Sequence, residues 1–198
     1  MNQDFRYLRK LLSNFAYNYF PSNTCIVDNY DNYVNSTEII KQNEIINDIF
    51  DSELFNFFVI DFTNKVKTDL GLELIDVTFH SSDRCLSFDI NFFENDELHK
   101  LCINISLLVP YYFTYCLKTK IEINSKRWLS LPVRDSYLEN KIYRDILDYI
   151  DNYISSELCF FKFNETLLNE NILHISLGSK KLNDVTYYEA FFKEDSYL

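Results

Sequence analysis

Glycine is nearly absent: Gly71 and Gly178 are the only two in 198 residues. Phosphate-cradling loops and strained nucleophile turns need glycine, because it alone takes positive φ cheaply and lets a ligand approach the backbone. Two isolated glycines build no Walker loop, no GxGxxG dinucleotide turn and no GxSxG elbow. Those routes to nucleotide chemistry and serine hydrolysis are closed. Proline is also scarce, with three residues, and Trp128 is the single indole. There is no Gly/Ser/Pro linker, no low-complexity tract and no internal repeat. No uncharged stretch approaches the roughly 18 residues that suggest a membrane span. The five cysteines, Cys25, Cys85, Cys102, Cys116 and Cys159, are odd in number and form no CxxC or CxxxC pair. That spacing argues against a disulfide framework and a zinc knuckle. Cys85, Cys102, Cys116 and Cys159 lie in apolar runs and are expected to be small buried hydrophobes in a reducing compartment. His80, His99 and His174 make no HxH, HxxxH or HExxH spacing, so a histidine metal site needs distant segments.

What is plentiful is apolar and acidic. Hydrophobic residues make up 47% of the chain and aromatics 17%, enough for a real core and too rich for disorder. Thirty acids against nineteen bases give a net charge of −11. This sign argues against nucleic acid, which is gripped by displacing counterions with cations, and against anionic lipid. It favours a basic partner through long-range steering, and it serves solubility as well. Asp4, Arg6, Arg9 and Lys10 interrupt any apolar h-region, so no signal peptide is expected and a cytoplasmic location is. No motif implies a cofactor. Oligomeric state is open.

The pattern along the chain reads as one α+β domain over 1–198: mainly helical over 1–70, a β-meander over 72–123, a long amphipathic helix over 136–157 and short strands over 158–193. Phe5, Leu8, Leu12, Phe15 and Tyr19 keep helical spacing up to Pro21. Residues 21–36 read as a loop. Ser36 or Thr37 is a candidate cap for a helix carrying Ile39, Ile46, Ile49 and Phe50. A third helix begins near Ser52. Phe55, Val59, Phe62, Val66 and Leu70 favour helix over buried strand there, with Gly71 as left-handed cap. The period then falls to two. Ile75, Val77 and Phe79, then Leu86, Phe88, Ile90 and Phe92, then Leu101, Ile103, Ile105, Leu107 and Val109 predict one apolar and one polar sheet face. A fourth strand starts at Tyr111. Ser136 and Glu139 form a capping box before a buried stripe of Leu138, Ile142, Ile146, Tyr149 or Ile150, and Tyr153. Strands are expected near 158–163, 172–177 and 185–193, with a turn at Gly178–Lys181.

Two candidate sites follow. If Ser81–Arg84 is a four-residue connection, Asp76 faces Asp89, Thr78 faces Ser87 and His80 faces Cys85. With a turn at 94–97, Cys102 then lies beside Asp89 and Asn104 beside Ser87. Facing carboxylates destabilise a sheet unless a cation lies between them. Asp76, Asp89 and His80 are therefore the candidate metal or acid/base residues of a metal-dependent hydrolase on the polar face. Asp135, Glu139 and Lys141 mimic the end of a nuclease motif, but residues two apart on a helix point in different directions. The second candidate is an acidic partner-binding surface: Asp145, Asp148 and Asp151 at i, i+3, i+6, joined by Asp28, Tyr30, Asp31 and Tyr33. Tyrosine brings contact area at low entropic cost.

Leu108–Phe113 (LVPYYF), the acidic amphipathic helix that follows and a final Tyr187–Phe192 strand (YYEAFF) resemble the pattern of some small bacterial immunity proteins. That resemblance spans residues 108–192 and carries no diagnostic motif. It implies a non-enzymatic inhibitor that neutralises a co-encoded toxin through a basic protein partner, and it transfers no particular residue. A phage-encoded inhibitor of host defence fits the same composition.

Overall fold

The computed structural model describes residues 3–80, 83–94, 97–122, 127–133 and 141–193. Four helices come first: α1 (Gln3–Tyr17), the short α2 (Tyr30–Val34), α3 (Thr37–Phe50) and α4 (Glu53–Lys65). Serine hydroxyls start the last two. Ser36 accepts the Ile39 N–H at 3.3 Å and Ser52 the Phe55 N–H at 3.4 Å, each satisfying an N–H the helix leaves open. Helix α4 runs into a π-helical turn, Val66–Leu70, which Gly71 closes at φ 67° and ψ 20°. The segment 21–36 is not all loop. Asn29 accepts the Asn32 N–H at 3.4 Å and caps α2, local chemistry that leaves no hydrophobic period to read.

Five antiparallel strands follow in chain order: β1 (Leu74–Asp76), β2 (Cys85–Glu94), β3 (Glu97–Ser106), β4 (Tyr111–Glu122) and β5 (Arg127–Val133). Helix α5 (Lys141–Glu157) returns the chain to β6 (Phe161–Lys162), which pairs in parallel with the start of β4. Helix α6 (Glu165–Leu168), the two-stranded pair β7 (Asn171–Ile172) and β8 (Val185–Thr186), and α7 (Tyr187–Phe191) complete the α+β fold. Sequence reading missed β5. Its Pro132 argues against a central strand, and the position is an outer one, where proline is tolerated.

Each sheet face carries a core. On one, Phe88, Ile90, Leu101 and Ile103 pack against Phe62, Val66, Ile146, Ile150 and Ile154. The Phe62 ring stacks on Tyr153 at 4.6 Å and meets Phe88 edge-on at 5.5 Å. On the other, Cys85, Val109 and Phe113 pack against Leu12, Ala16 and Phe20 and against Leu168, Tyr188, Phe191 and Phe192. The sheet face expected to be solvated is therefore roofed. Ser87, Asn104 and Ser106 are buried and bonded inside. Ser87 Oγ donates to Asn104 Oδ1 at 3.0 Å, and Asn104 Nδ2 to the Tyr188 hydroxyl at 3.4 Å. Alternation reports side-chain chemistry, and it cannot report what a distant segment covers.

Other expectations shift by a residue or change type. In β1 Leu74 is buried and Ile75 and Asp76 are exposed, and past its end Val77 and Phe79 are exposed too, so the expected apolar row does not face the core. On α5, Ile142 is exposed, and Tyr143, Leu147 and Ile154 join Ile146, Ile150 and Tyr153 in the buried stripe. The expected capping box at Ser136 and Glu139, with Asp135 and Leu138, lies outside the described residues. The expected final strand, 185–193, is strand only over Val185–Thr186 (β8) and becomes α7 after it, because Thr186 Oγ1 accepts the Glu189 N–H at 3.3 Å while the Glu189 carboxylate accepts the Thr186 N–H at 2.9 Å. Cys25, Cys85, Cys102 and Cys116 are buried, but Cys159 is exposed at φ 54°.

Candidate interaction surface

The proposed metal cluster does not assemble. Asp76 lies opposite Phe88, and Ile75 opposite Asp89, one residue away from the expected register. The cause is local. Asp76 Oδ1 accepts the Thr78 N–H at 2.9 Å and Asp83 accepts the Phe79 N–H at 2.9 Å, so turn chemistry ends β1 early. His80 falls in that turn and stacks on Phe50 at 4.2 Å. Asp89 is claimed by Lys100 Nζ at 2.8 Å, and this bond holds the Lys100 ammonium above its ordinary range. The β2–β3 register does match expectation, with Ser87 opposite Asn104 and Asp89 opposite Cys102. Among the described residues no group of three or more His, Cys, Asp or Glu is placed to hold a metal ion. His174 sits in a turn at φ 65°, away from the sheet, and His99 is buried on β3 beside Phe92. The Cys85 thiol, beside the Ser87 hydroxyl at 3.4 Å, is pushed up to about 12 by burial, so it stays protonated and a poor nucleophile.

The acidic partner-binding set divides. Asp28, Tyr30 and Asp31 are exposed around α2, but Tyr33 is 3% exposed and donates its hydroxyl to the Ser176 carbonyl at 2.7 Å. Tyr33 is a packing residue that anchors α2. Asp145 and Asp148 are exposed on α5, whereas Asp151 is half-buried and paired with Lys162 Nζ at 2.7 Å. Tyr33 belongs to the core shared with α1 and α7, and α5 to the core shared with α4. The two groups thus stand over different cores.

A different surface stands out on the paired helices α4 and α5. Tyr153 OH donates to Asp61 at 2.8 Å and Tyr149 OH to Asp69 at 2.7 Å, so rising along one chain means falling along the other: the helices run antiparallel. The Tyr153 hydroxyl, then Lys65, hold the Asp61 carboxyl below its usual range. Burial, then the bond to Asp69, push Tyr149 up to about 12. Lys65 lies over the Tyr153 ring at 5.1 Å and contacts Asp61 at 3.3 Å. Lys65, Asp69, Tyr149 and Tyr153 line a cleft of about 490 Å³ with Asn152, Ser155 and Ser156.

At the other end of α4 is an apolar groove of about 390 Å³. Leu86 and Ile105 of the sheet lie deepest, with Phe55, Phe58, Leu107, Leu158 and Phe160 around them. Asp48, Ser52 and Leu54 stand at its mouth. From Leu54 a ridge continues along α4: Leu54 is 82% exposed, Phe57 70% and Ile60 61%. Burying a side chain of this size stabilises by about 1.5–3 kcal/mol, so three left in water are a substantial unused association energy. Asp48, Asp51 and Glu53 are exposed beside them, and among the described residues no lysine or arginine lines the groove.

Sequence reasoning counted only the inward stripe Phe55–Val59–Phe62 and missed this face. The available signal was excess: Leu54, Phe57, Phe58 and Ile60 make α4 apolar around most of its circumference, more than one buried face requires. No described helix is long and apolar enough to cross a membrane, so that surplus is not a spanning segment. A scan of protein-family models, a search of curated proteins and a search of solved structures each return no match to this chain.

Proposed function

We propose that this chain is a protein-binding inhibitor of the immunity type, which neutralises a co-encoded toxin by capturing a basic domain of it. The observation that carries the reading is the acid-bordered apolar face of α4: three large side chains in water beside Asp48, Asp51 and Glu53, on a protein of net charge −11. Apolar area supplies affinity, and the carboxylates supply encounter rate and choice of partner. The other nominated acids, Asp28, Asp31, Asp145 and Asp148, extend the negative field without touching the groove, and that field steers a cation from a distance.

The test uses the product of the adjacent gene. Its affinity and association rate for this chain are measured by surface plasmon resonance at about 50 mM and about 500 mM salt, over which the screening length shrinks severalfold. Tight binding at low salt, with an association rate that falls at least tenfold at high salt, is the expected result, together with relief of the product's toxicity on co-expression. No binding at low salt overturns the inhibitor reading.

A further inference from the structure

Two helices end at the same groove, and they end with the wrong charges. Asp48 sits in the last turn of α3, Asp51 caps its C-terminus, and no basic residue occupies that turn. Helix α5 ends at Glu157, also without a basic residue in its last turn, and the next residue, Leu158, lines the groove. A helix C-terminus carries a partial negative charge and favours Lys or Arg; carboxylates there are unfavourable. The groove therefore collects two negative helix ends, with Asp48 in its lining and Asp51 between the lining residues Ile49 and Ser52, while Glu157 already meets Lys65 Nζ at 3.8 Å. The free protein loses stability by this arrangement, and a cation placed there from outside relieves it.

Resting on the inhibitor reading above, we infer that the partner element is an amphipathic helix flanked by lysine or arginine. Its apolar face packs against the ridge Leu54–Phe57–Ile60 and sends one side chain into the groove over Phe55 and Phe58, while its basic flank meets Asp48 and Asp51. The ridge repeats every three residues along α4, the spacing that meshes with the i, i+3 and i+4 rows of another helix. The negative mouth selects a basic helix over an acidic one.

The probe is a fluorescein-labelled Leu/Lys peptide of about 14 residues, four helical turns, patterned with one apolar face. Controls are the same composition shuffled to destroy that face, and a Leu/Glu peptide of the same pattern. Anisotropy is expected to show the patterned Leu/Lys peptide binding at least tenfold tighter than either control. The double variant Leu54→Asp with Phe57→Asp, changed only at exposed positions, is expected to remove that preference. Asp48→Lys with Asp51→Lys is expected to weaken the peptide at least tenfold and, because lysine suits a helix C-terminus, to raise Tm by about 1–4 °C. Weaker binding together with higher stability is a combination that a purely structural role for these acids does not produce. Equal binding of patterned and shuffled peptides, or an unchanged affinity in either variant, overturns the inference. A dimer in sedimentation velocity that Leu54→Asp with Phe57→Asp abolishes overturns it in favour of a second copy of this chain. The two readings fail separately. If the adjacent-gene product binds the Leu54→Asp, Phe57→Asp double variant as tightly as the parent, the groove is refuted and the inhibitor stands; if the peptides behave as expected and no toxin binds, the reverse holds.

Discussion

At the scale of single residues, identity alone does not separate a surface group from a packing group. Tyr30 and Tyr33 lie three apart on α2 and are chemically alike, yet one is 63% exposed and the other 3%. What separates them is the Ser176 carbonyl, delivered from far along the chain to accept the Tyr33 hydroxyl. The cysteines show the same dependence. Cys85 and Cys102 sit in the sheet, where burial raises both thiols, Cys85 to about 12. Cys159 lies just past α5 in the left-handed region and is exposed. Since the thiolate is the reactive form, iodoacetamide at pH 8 under native conditions is expected to add one carbamidomethyl group, on Cys159, and four more only in denaturant. Mass spectrometry of the intact chain and its peptides reads this directly. Native labelling of Cys85 or Cys102 would contradict their burial.

At the scale of elements, starts are written locally and roofs are not. Ser36 and Ser52 begin α3 and α4 because a side-chain oxygen needs only the N–H three residues ahead, so both starts were legible in the sequence. Gly71 was legible for a similar reason: one backbone conformation after a helical stripe calls for it. The β2–β3 register was legible because a short connection leaves it little freedom. The β1 register was not, because Asp76 and Asp83 each capture a backbone N–H and stop the ladder before alternation can be expressed. Helix α7 is the clearest lesson. Residues 187–192 are aromatic and read as a strand, but the Thr186–Glu189 box turns them into a helix that the fold then buries. Glu189 is 3% exposed and also meets Lys180, so the box is shielded from water. Thr186→Ala removes the cap and is expected to cost about 1–2 kcal/mol, read as a lower urea midpoint with unchanged m-value. A loss below about 0.3 kcal/mol would mean that packing of Tyr188 and Phe191, and not the cap, holds α7.

At the scale of the whole molecule, tyrosine ties both cores to pH. The chain holds 15 tyrosines, and several lie in the packed layers. Burial is the first cause that raises the phenols of Tyr112, Tyr115, Tyr143 and Tyr153 well above their ordinary value of 10.0. Tyr112, Tyr143 and Tyr153 face the α4–α5 core, and Tyr115 packs at the opposite one beside Phe113. Each keeps its proton more tightly folded than unfolded. Below about pH 10 both states hold these protons, and this contribution to stability is complete. Above it the unfolded chain releases protons that the folded chain retains, so stability falls as pH rises. Self-repulsion acts in the same direction, since a chain already at −11 gains further negative charge. Ionisation of the inner phenols is thus coupled to unfolding. Absorbance at 295 nm is expected to rise in two stages: a gradual one while the fold is intact, then a steep one from the buried phenols, coincident with loss of far-UV circular dichroism. On returning to pH 8 the second stage should reverse with the dichroism. A single smooth titration of all 15 tyrosines near pH 10, with the dichroism intact, would show that water reaches the phenols in both layers and that neither core is packed as described.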